Sequence, residues 1–398
     1  MEWKEYQIQD VCRLINGRAY SNDEMLEHGK YKIVRVGNLS GGNSTWFYSD
    51  LELPADKYCH NGDLLFAWAC TFGPHIWKED NTIFHYHIWK IVEDKDVVDR
   101  RFFCYYLKFA TGGFLGALNG SVMVHITKSS MEKMIIRIPK KLEDQRRIAS
   151  ILSSLDRKIE LNNKINADLE EMAQAVFKNW FVDFEPFKDG KFVDSELGMI
   201  PEGWKVGRAD DFYQINIGKT PPRKEHKWFS TNPADKIWVS IANMGNSGIF
   251  ISDSSEYLTK EAVDRHNIIM VPRNTILLSF KLTVGRVAIA DKELTTNEAI
   301  ARFILSDDKY MEYLYLYLKN FDYNSLGSTS SIATAVNSKT IKGMQMLQPS
   351  DKIIDAFHIQ VNPIFEKIRS LTKENSRLSS LRDTLLPRLM SGEIEVPE

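Results

Sequence analysis

The sequence predicts an α+β protein in which two pseudo-symmetric, mixed α/β domains are separated by two long helices. Three observations predict this fold class. The 398-residue chain contains one internal repeat, each copy begins with short runs typical of strands, and each copy ends in a long segment with helical periodicity. An apolar content of 43% over this length is enough for two or three domains with separate cores.

The internal repeat is visible as four matches that occur in the same order in both halves. The offset between the copies is 201 residues at the first match and 212 at the third, a drift that loop insertions produce. Each copy should therefore form one domain of similar fold. The matches pair Trp3 and Gly17 with Trp204 and Gly218, residues 36–39 with 241–244, residues 64–68 with 276–280, and Pro139 with Pro349.

Each copy changes character at its matched proline. Before it, runs rich in β-branched and aromatic residues, such as residues 63–68 and 275–280, alternate with Gly, Asn and Pro, which favours strands joined by loops. Residues 101–109 and 311–321 have the spacing of short helices. Each globular part is therefore predicted to mix α and β structure.

Two long segments follow the prolines, and their apolar residues alternate at three- and four-residue spacings, as in the seam of a coiled coil. A helix of about 40 residues extends roughly 60 Å, which is longer than a small domain covers, so we expect exposed, paired helices. Asn162 and Asn375 interrupt the seams; they either fix the register or are tolerated near an open stretch. Pro363 predicts a kink or a new helix start. The predicted seam consists of Ile148, Ile151, Leu155, Asn162, Ile165, Leu169, Met172, Val361, Ile364, Ile368, Leu371, Asn375, Leu378 and Leu385.

These patterns divide the chain into five segments. The segment between the first helix and the second domain is rich in Gly, Pro and acidic residues, which is typical of a linker. The predicted segments are a first domain at residues 1–141, a first long helix at 142–182, a linker at 183–203, a second domain at 204–349, and a second long helix with a C-terminal tail at 350–398.

Composition and motifs exclude several classes of protein. The 51 Lys and Arg residues balance 53 Asp and Glu residues, which excludes a generally basic binder but leaves room for local basic loops. No apolar run could cross a membrane and no signal-peptide pattern is present, so we expect a cytoplasmic protein. Phosphate-loop, dinucleotide-binding, zinc-protease and nucleophile-elbow motifs are missing from the sequence, which predicts no catalytic site. Without a Cys-x-x-Cys pair, the cysteines are interpreted as reduced, mostly structural thiols; they are Cys12, Cys59, Cys70 and Cys104.

His85 and His87 form the best candidate metal site in the sequence. Residues two apart on a strand face the same side, so both imidazoles could point toward one ion. The alternative is a pair of polar or packed strand histidines. Because the second copy has Asn297 and Ala299 at the corresponding places, a metal would not belong to the shared design, and we predict none.

Basic and polar loops are the candidate contacts with nucleic acid. Residues 218–228 combine four cations with turn-forming residues and an aromatic side chain, and their counterpart in the first copy is residues 17–22. Two further loop pairs join residues 38–43 with 243–248 and residues 69–75 with 281–286. Their side chains can donate to phosphates or to base edges, or they can be solvated loops with no ligand. The candidate DNA-binding residues are Arg18, Tyr20, Asn38, Ser40, Lys219, Thr220, Arg223, Lys224, Lys227, Asn243, Lys281 and Arg286.

The order of these segments resembles that of the specificity subunit of Type I restriction-modification enzymes. The resemblance covers essentially the whole chain. It is most specific at residues 180–184 (Trp-Phe-Val-Asp-Phe) and 195–205, which are similar to the family's passage from the first helix to the second recognition domain. Residues 144–148 resemble the opening of the family's first helix, and residues 381–394 resemble its C-terminal end.

The resemblance implies two target-recognition domains and an antiparallel coiled coil that acts as a ruler for the unread spacer of a split target. It implies a noncatalytic subunit that binds double-stranded DNA and directs two methyltransferase subunits and the restriction subunits. S-adenosylmethionine, ATP and Mg²⁺ would belong to those partners, and no cofactor to this chain. Exposed helix faces, where Phe177, Trp180 and Phe181 need cover, would receive the methyltransferase.

Two alternatives remain at this stage. One is a two-lobed protein-binding scaffold without DNA specificity, in which the helices serve only as a spacer. The other is a stand-alone nuclease or methyltransferase, which the missing catalytic motifs disfavour.

Overall fold

The computed structural model describes residues 1–39, 44–69, 72–117, 126–246, 248–326 and 336–397. Contacts within the chain divide it into two compact units. Unit 1 contains Met1–Ile159 and Arg377–Glu398, and unit 2 contains Glu160–Ser376. Both boundaries fall inside the two long helices, Leu142–Phe181 and Asp351–Ser391. Each unit therefore combines one copy of the repeat with a segment of both helices.

Unit 1 is built from short strands and helices, and the first long helix begins in it. Its strands are β1 (Trp3–Gln7), β2 (Cys12–Asn16), β3 (Tyr31–Val34), β4 (Phe47–Ser49), β5 (Tyr58–Cys59), β6 (Leu64–Ala67), β7 (Gly73–Ile76), β8 (Thr82–Phe84), β9 (Ile88–Glu93) and β10 (Ile135–Pro139). Its helices are α1 (Ile8–Val11), α2 (Val36–Leu39), α3 (Arg100–Ala117), α4 (Lys128–Glu132) and the first part of α5 (Leu142–Phe181).

Unit 2 repeats this sequence of elements after a short hairpin. Its strands are β11 (Phe192–Val193), β12 (Ile200–Pro201), β13 (Lys205–Arg208), β14 (Gln214–Ile217), β15 (Phe229–Ser230), β16 (Lys236–Val239), β17 (Phe250–Ile251), β18 (Tyr257–Leu258), β19 (Ile276–Ser279), β20 (Val287–Ala290), β21 (Thr295–Thr296), β22 (Ile300–Ile304) and β23 (Gln345–Gln348). Its helices are α6 (Ala209–Phe212), α7 (Ile241–Asn246), α8 (Lys260–Arg265), α9 (Met311–Asn320), α10 (Ser338–Lys342) and the first part of α11 (Asp351–Ser391).

The sheets of the two units have matching strand orders, which confirms the pseudo-symmetry predicted from the repeat. In unit 1 the order β2-β9-β6-β7 is antiparallel throughout, and in unit 2 the order β14-β22-β19-β20 repeats it, with β17 added in parallel at one edge. Each unit has a second sheet that contains one parallel pair of strands. The pair is β3 with β8 in unit 1 and β16 with β21 in unit 2. The central strands β6 and β19 are buried along their whole length, which explains their continuous apolar runs.

The core of each unit includes residues from both long helices. In unit 1, Ile148 and Leu152 of α5 and Leu389 and Met390 of α11 share one apolar cluster with the strands and α3. In unit 2, the corresponding cluster contains Ala173, Phe177 and Phe181 of α5 together with buried residues of α11. The C-terminal end of the chain thus completes the core of the first copy of the repeat.

Side-chain contacts inside unit 2 show that the two helices run antiparallel. In unit 2, the buried Asn162 amide donates to Asn375 Oδ1 at 2.9 Å and to Glu374 Oε2 at 2.8 Å, and Asn375 donates to Asn163 at 2.7 Å. Further along, Phe181 contacts Phe357, so the pairs advance in opposite directions along the two helices. The two seam asparagines bind each other, which supports the register interpretation over tolerance near an open stretch.

One predicted seam residue, and a new helix start as one of the two possibilities given for Pro363, differ from the structure. Met172 is 55% exposed, and Ala173 is buried in its place. The reason is that the buried positions of α5 advance in steps of four from Ala173 to Phe177 and Phe181, because this part of α5 packs on the domain as well as on α11. No new helix begins at Pro363, since α11 is continuous there.

The helix residues expected to need cover from a partner are covered by the chain itself. Phe181 is 5% exposed and packs against Tyr313 and Trp204, with ring centroids 4.8 Å and 5.7 Å away. Phe177 is also buried, and Trp180 is half-buried against Phe187. The expectation of an uncovered aromatic surface on the first helix was wrong, because these side chains belong to the core of unit 2.

The cysteines that the structure describes are buried in the apolar interior of unit 1, as expected of structural thiols. Cys12, Cys59 and Cys104 are buried free thiols, and burial raises the pKa of Cys12 and Cys59 to about 12. Cys70 lies outside the described residues.

Among the helices that the structure describes, none combines the length and apolar character needed to cross a membrane.

A polar junction links α3 to both long helices within unit 1. Asp156 of α5 accepts a hydrogen bond from the Tyr105 hydroxyl at 2.6 Å and forms an ion pair with Arg382 of α11 at 2.7 Å. Burial opposes ionisation of Asp156, but the bonds from Tyr105 and Arg382 outweigh it and lower the pKa of the carboxyl. The junction therefore stabilises unit 1 while the carboxylate is charged.

We expect Asp156→Ala to lower the free energy of unfolding by about 1–2 kcal/mol at pH 7, because Tyr105 and Arg382 lose a partly buried, ionised acceptor. An Asp pKa that is lower in the folded state stabilises the protein above the unfolded value of about 4, and this contribution is lost as the pH falls through the folded value. Urea unfolding at pH 7 and pH 3 measures both effects. Asp383→Ala removes a more exposed partner of Arg382 and is the control; equal losses in the two variants would contradict the prediction.

Candidate nucleic-acid interface

A glycine fixes the start of the corresponding basic loop in each unit. The Gly17 nitrogen donates to Ile88 O at 3.1 Å, and the Gly218 nitrogen donates to Ile300 O at 3.1 Å. A Cβ atom at Gly17 would lie 2.2 Å from His85 O, and one at Gly218 would lie 2.0 Å from Asn297 O. Only glycine permits this approach between two backbone segments. The loop and the neighbouring turn are therefore held together in both units.

In unit 1 the predicted loop residues Arg18 and Tyr20 are held by their own neighbours. Arg18 forms a bidentate ion pair with Glu24, at 2.6 Å and 3.0 Å, and stacks on the Tyr20 ring at 5.2 Å. Tyr20 is 8% exposed and packs among apolar residues. Burial is the main cause that raises the pKa of the Tyr20 hydroxyl. Arg18 remains a partly exposed candidate for phosphate contact, whereas the buried Tyr20 side chain stabilises the loop by packing.

The predicted asparagine loops have a structural role in both units. Asn38 Oδ1 accepts from the Arg35 nitrogen at 3.0 Å, and Asn243 Oδ1 accepts from the Ser240 nitrogen at 2.9 Å. Asn38 Nδ2 donates to Ser44 O at 3.3 Å, and Asn243 Nδ2 donates to Ser255 Oγ at 3.2 Å. The amide oxygens thus close equivalent turns in the two units, and the amide nitrogens tie these turns to residues further along the chain. Ser40 lies outside the described residues.

Arg286 is likewise engaged by the protein. Its guanidinium donates to Ile241 O at 2.8 Å and lies against Gly245, where a Cβ atom would be 2.4 Å from Nη1. Lys281, in the same loop, is exposed, and the adjacent Leu282 is 99% exposed with a left-handed φ of 60°. The tip of this loop, rather than Arg286, is presented to solvent.

The long basic loop of unit 2 is partly fixed by contacts with neighbouring elements. Arg223 forms a bidentate ion pair with Glu256, at 2.7 Å and 3.1 Å, and stacks on Phe229 and Trp238. Lys219 Nζ donates to His266 O at 2.6 Å. Cation–π contacts of this kind keep a guanidinium in place and leave its outer face open to an anion.

The other cations of this loop are more exposed. Lys227 lies over the Trp228 ring at 4.3 Å and is 3.6 Å from Glu225. Lys224 is exposed. Thr220, at the base of the loop, donates a short hydrogen bond to Glu298. The loop therefore presents several cations from a backbone that is fixed at its base.

Unit 1 has an aromatic turn that the sequence pattern did not assign to the interface. The turn follows β8, and Tyr86 is 40% exposed at its tip. The Trp68 indole donates to Tyr86 O at 2.9 Å, and the His87 ring lies 3.8 Å from the Tyr86 ring, centroid to centroid. The alternation of apolar and polar strand residues that suggested a metal site at His85 and His87 could have indicated this turn.

The candidate metal site at His85 and His87 has no support in the geometry of this turn. No group of three or more His, Cys, Asp or Glu side chains in the part of the chain described here is arranged to hold a metal ion. Burial, followed by the nearby His87 and Arg35, lowers the pKa of His85 to about 4. His85 and His87 instead line a cleft of about 370 Å³ together with Arg35.

The described residues of these loops place cations where they can contact an extended polyanion in each unit. The presence of such loops agrees with the family that this sequence matches. Residues 1–171 and 201–359 match the family described as the Type I restriction modification DNA specificity domain. The chain belongs to this family.

Two relatives and one solved structure show how far the similarity to this chain extends. It is 27% identical to the Type I restriction enzyme HindI specificity subunit of Haemophilus influenzae, over 99% of this chain and 100% of that protein. It is 31% identical to the MjaIX specificity subunit of Methanocaldococcus jannaschii, over 74% of this chain and 66% of that protein. The S subunit structure from M. genitalium aligns with a TM-score of 0.57 at 15% identity, over 98% of this chain and 96% of the other, and supports the fold.

Family membership confirms the interpretation as a specificity subunit and gives no support to the protein-binding scaffold. Specificity subunits of type I systems are noncatalytic, so the chain is a noncatalytic component of such a system. The individual DNA-contacting residues remain predictions.

We expect Gly218→Ala to lower the free energy of unfolding by about 1–3 kcal/mol, because the new methyl group would force the basic loop away from Asn297 O. Loss of sequence-selective DNA retention should accompany this change. Urea unfolding and DNA retention measure the two effects. Gly112→Ala on α3 is the control, because a Cβ atom there has no neighbour within 4 Å and the residue lies outside the candidate loops. Equal stability of the two variants would contradict the close-approach argument.

Proposed function

We propose that the chain reads a bipartite double-stranded DNA target, one half-site per unit, and directs the methyltransferase and restriction subunits of a Type I restriction-modification complex to it. One observation carries this proposal. In both units the loops start from the same main-chain frame, which is the close backbone approach at Gly17 in unit 1 and at Gly218 in unit 2. The exposed side chains of these loops differ between the units. A duplicated frame with divergent tips suits two different half-sites.

The charge distribution supports a reader that depends on partners. Basic and acidic residues balance over the chain, so its nonspecific attraction to DNA is weak. Positive charge is concentrated locally in the loop that contains Arg223, Lys224 and Lys227. We infer that these cations contact phosphates, while exposed tips next to them contact bases.

The same proposal assigns the chemistry to other subunits. Two methyltransferase subunits bind S-adenosylmethionine and modify the target adenine, and the restriction subunits use ATP and Mg²⁺. This chain supplies no cofactor and acts in the cytoplasm, where the host DNA is accessible. Because Phe177 and Phe181 are buried in unit 2, the methyltransferase dock requires other exposed parts of the long helices.

A selection experiment tests the function as a whole. The full chain is assembled with its modification subunits and mixed with a library of duplexes that contain a random central region. Enrichment of a split sequence with two defined half-sites supports the proposal. Retention without enrichment at any salt concentration would contradict it.

The double variant Arg223→Ala, Lys224→Ala should bind target DNA more weakly and flatten the dependence of log K on log salt by roughly one to two units, since each phosphate contact contributes about 0.9. Fluorescence anisotropy at several salt concentrations measures the slope. Lys188→Ala, Lys191→Ala is the charge-matched control, because both lysines are exposed in the segment between α5 and β12, outside the candidate loops and the long helices. An unchanged slope in the first variant would remove that loop from the interface.

A further inference from the structure

The turn after β8 in unit 1 and the turn after β21 in unit 2 are equivalent in their hydrogen bonding. The backbone nitrogen of Trp68 donates to the backbone oxygen of His87 at 3.1 Å, and the backbone nitrogen of Phe280 donates to the backbone oxygen of Ala299 at 3.0 Å. At the tip of each turn, Tyr86 and Glu298 are exposed although the strand residues before and after the turns are buried. The same backbone position therefore presents an aromatic side chain in one unit and a carboxylate in the other.

In unit 1 the tip is supported as an aromatic platform. The Trp68 indole is bonded to the Tyr86 carbonyl, and its ring meets the Tyr86 ring edge-on with centroids 6.2 Å apart. His85 and His87 pack closer, at 4.5 Å and 3.8 Å from the Tyr86 ring. A cleft of about 300 Å³, lined by Trp68, Tyr86 and Lys128, lies on one side of the turn. This leaves an apolar surface with open space beside it.

In unit 2 the residue at the tip, Glu298, carries a negative charge that neighbouring groups stabilise. Burial opposes ionisation of Glu298, but the hydrogen bond from Thr220 and the charges of Lys281 and Arg223 lower the pKa of its carboxyl. The exposed carboxylate is therefore an acceptor at neutral pH, surrounded by groups that could hold a phosphate backbone nearby. The Glu298 carboxylate repels phosphate, so it is not itself a phosphate contact.

We propose that Tyr86 and Glu298 are specificity-determining residues that make the two half-sites different. Glu298 accepts a hydrogen bond from the exocyclic amino group of cytosine, the contact that carboxylates make in the major groove. Tyr86, supported by Trp68, contacts the methyl group of thymine through its ring. This inference rests on the proposed function, because it names which side chains read bases within the two candidate interfaces.

Glu298→Gln provides the sharper test. The amide oxygen can still accept from Thr220, so the loop keeps its contact, but the side chain gains a donor and loses its charge. Glutamine pairs with adenine rather than cytosine, so one position of the second half-site should change from cytosine to adenine, with about a tenfold loss on the original target. Glu298→Asp keeps the carboxylate and should keep cytosine.

Tyr86→Leu tests the first unit in the same way. The preference for thymine at one position of the first half-site should relax about tenfold, and the second half-site should stay unchanged. Tyr86→Phe retains the ring and should retain the preference. The same-unit control is Ile135→Ala, which shortens a 65% exposed side chain on β10, and Glu261→Gln on α8 is the control for unit 2.

Each variant is assembled with the modification subunits, its melting temperature is measured, and bound duplexes from a random library are sequenced. A base change confined to the half-site of the altered unit supports the proposal. An unaltered motif in Glu298→Gln and Tyr86→Leu would overturn it while leaving the proposed function intact. A wild-type complex that enriches no split motif would instead overturn the proposed function. If Glu298→Gln unfolds, Glu298→Ala takes its place, and an unaltered cytosine preference in the folded Glu298→Ala variant would also overturn the proposal.

Discussion

The pairing of the two long helices is the constraint on which both units depend, because each unit completes its core with a segment from each helix. Leu389, near the end of the chain, shares an apolar cluster with Ile148 in unit 1, and Phe357 packs on Phe181 in unit 2. Contacts between such distant residues are entropically expensive to form and must be repaid by burial. Neither copy of the repeat has a complete apolar core without both helices.

Polar contacts between the helices define their alignment more than their stability. Asn162 binds Asn375 inside the seam of unit 2, and Asp156 binds Arg382 in unit 1. Shifting one helix by a turn would leave the buried Asn162 amide without its acceptors, and an unpaired buried polar group costs about 1–3 kcal/mol. Apolar seam residues alone tolerate such shifts, so the polar pairs select one register.

The duplicated main-chain frame separates what must be shared from what can vary. Gly17 and Gly218 allow two backbone segments to touch in both units, and Asn38 and Asn243 close the same turn in both. These residues were recognisable from the sequence as matches, but their role was not. The asparagine amides have the chemistry of base contacts, but a sequence does not reveal that they bond the protein's own backbone and side chains. Glu298 gives no signal in the sequence, since a carboxylate does not belong to the pattern of a basic loop.

The sequence alone determined the repeat, the long helices and the family resemblance, because periodicity and ordered matches are properties of the linear chain. It also indicated which loops carry charge. Only the tertiary structure decided that Phe177 and Phe181 are covered within unit 2, that Met172 faces outward, and that Tyr86 and Glu298 occupy one equivalent tip. These outcomes depend on which surfaces meet. A helix can bury any of several overlapping stripes, and a strand turn can present either neighbour, until packing against distant segments selects one.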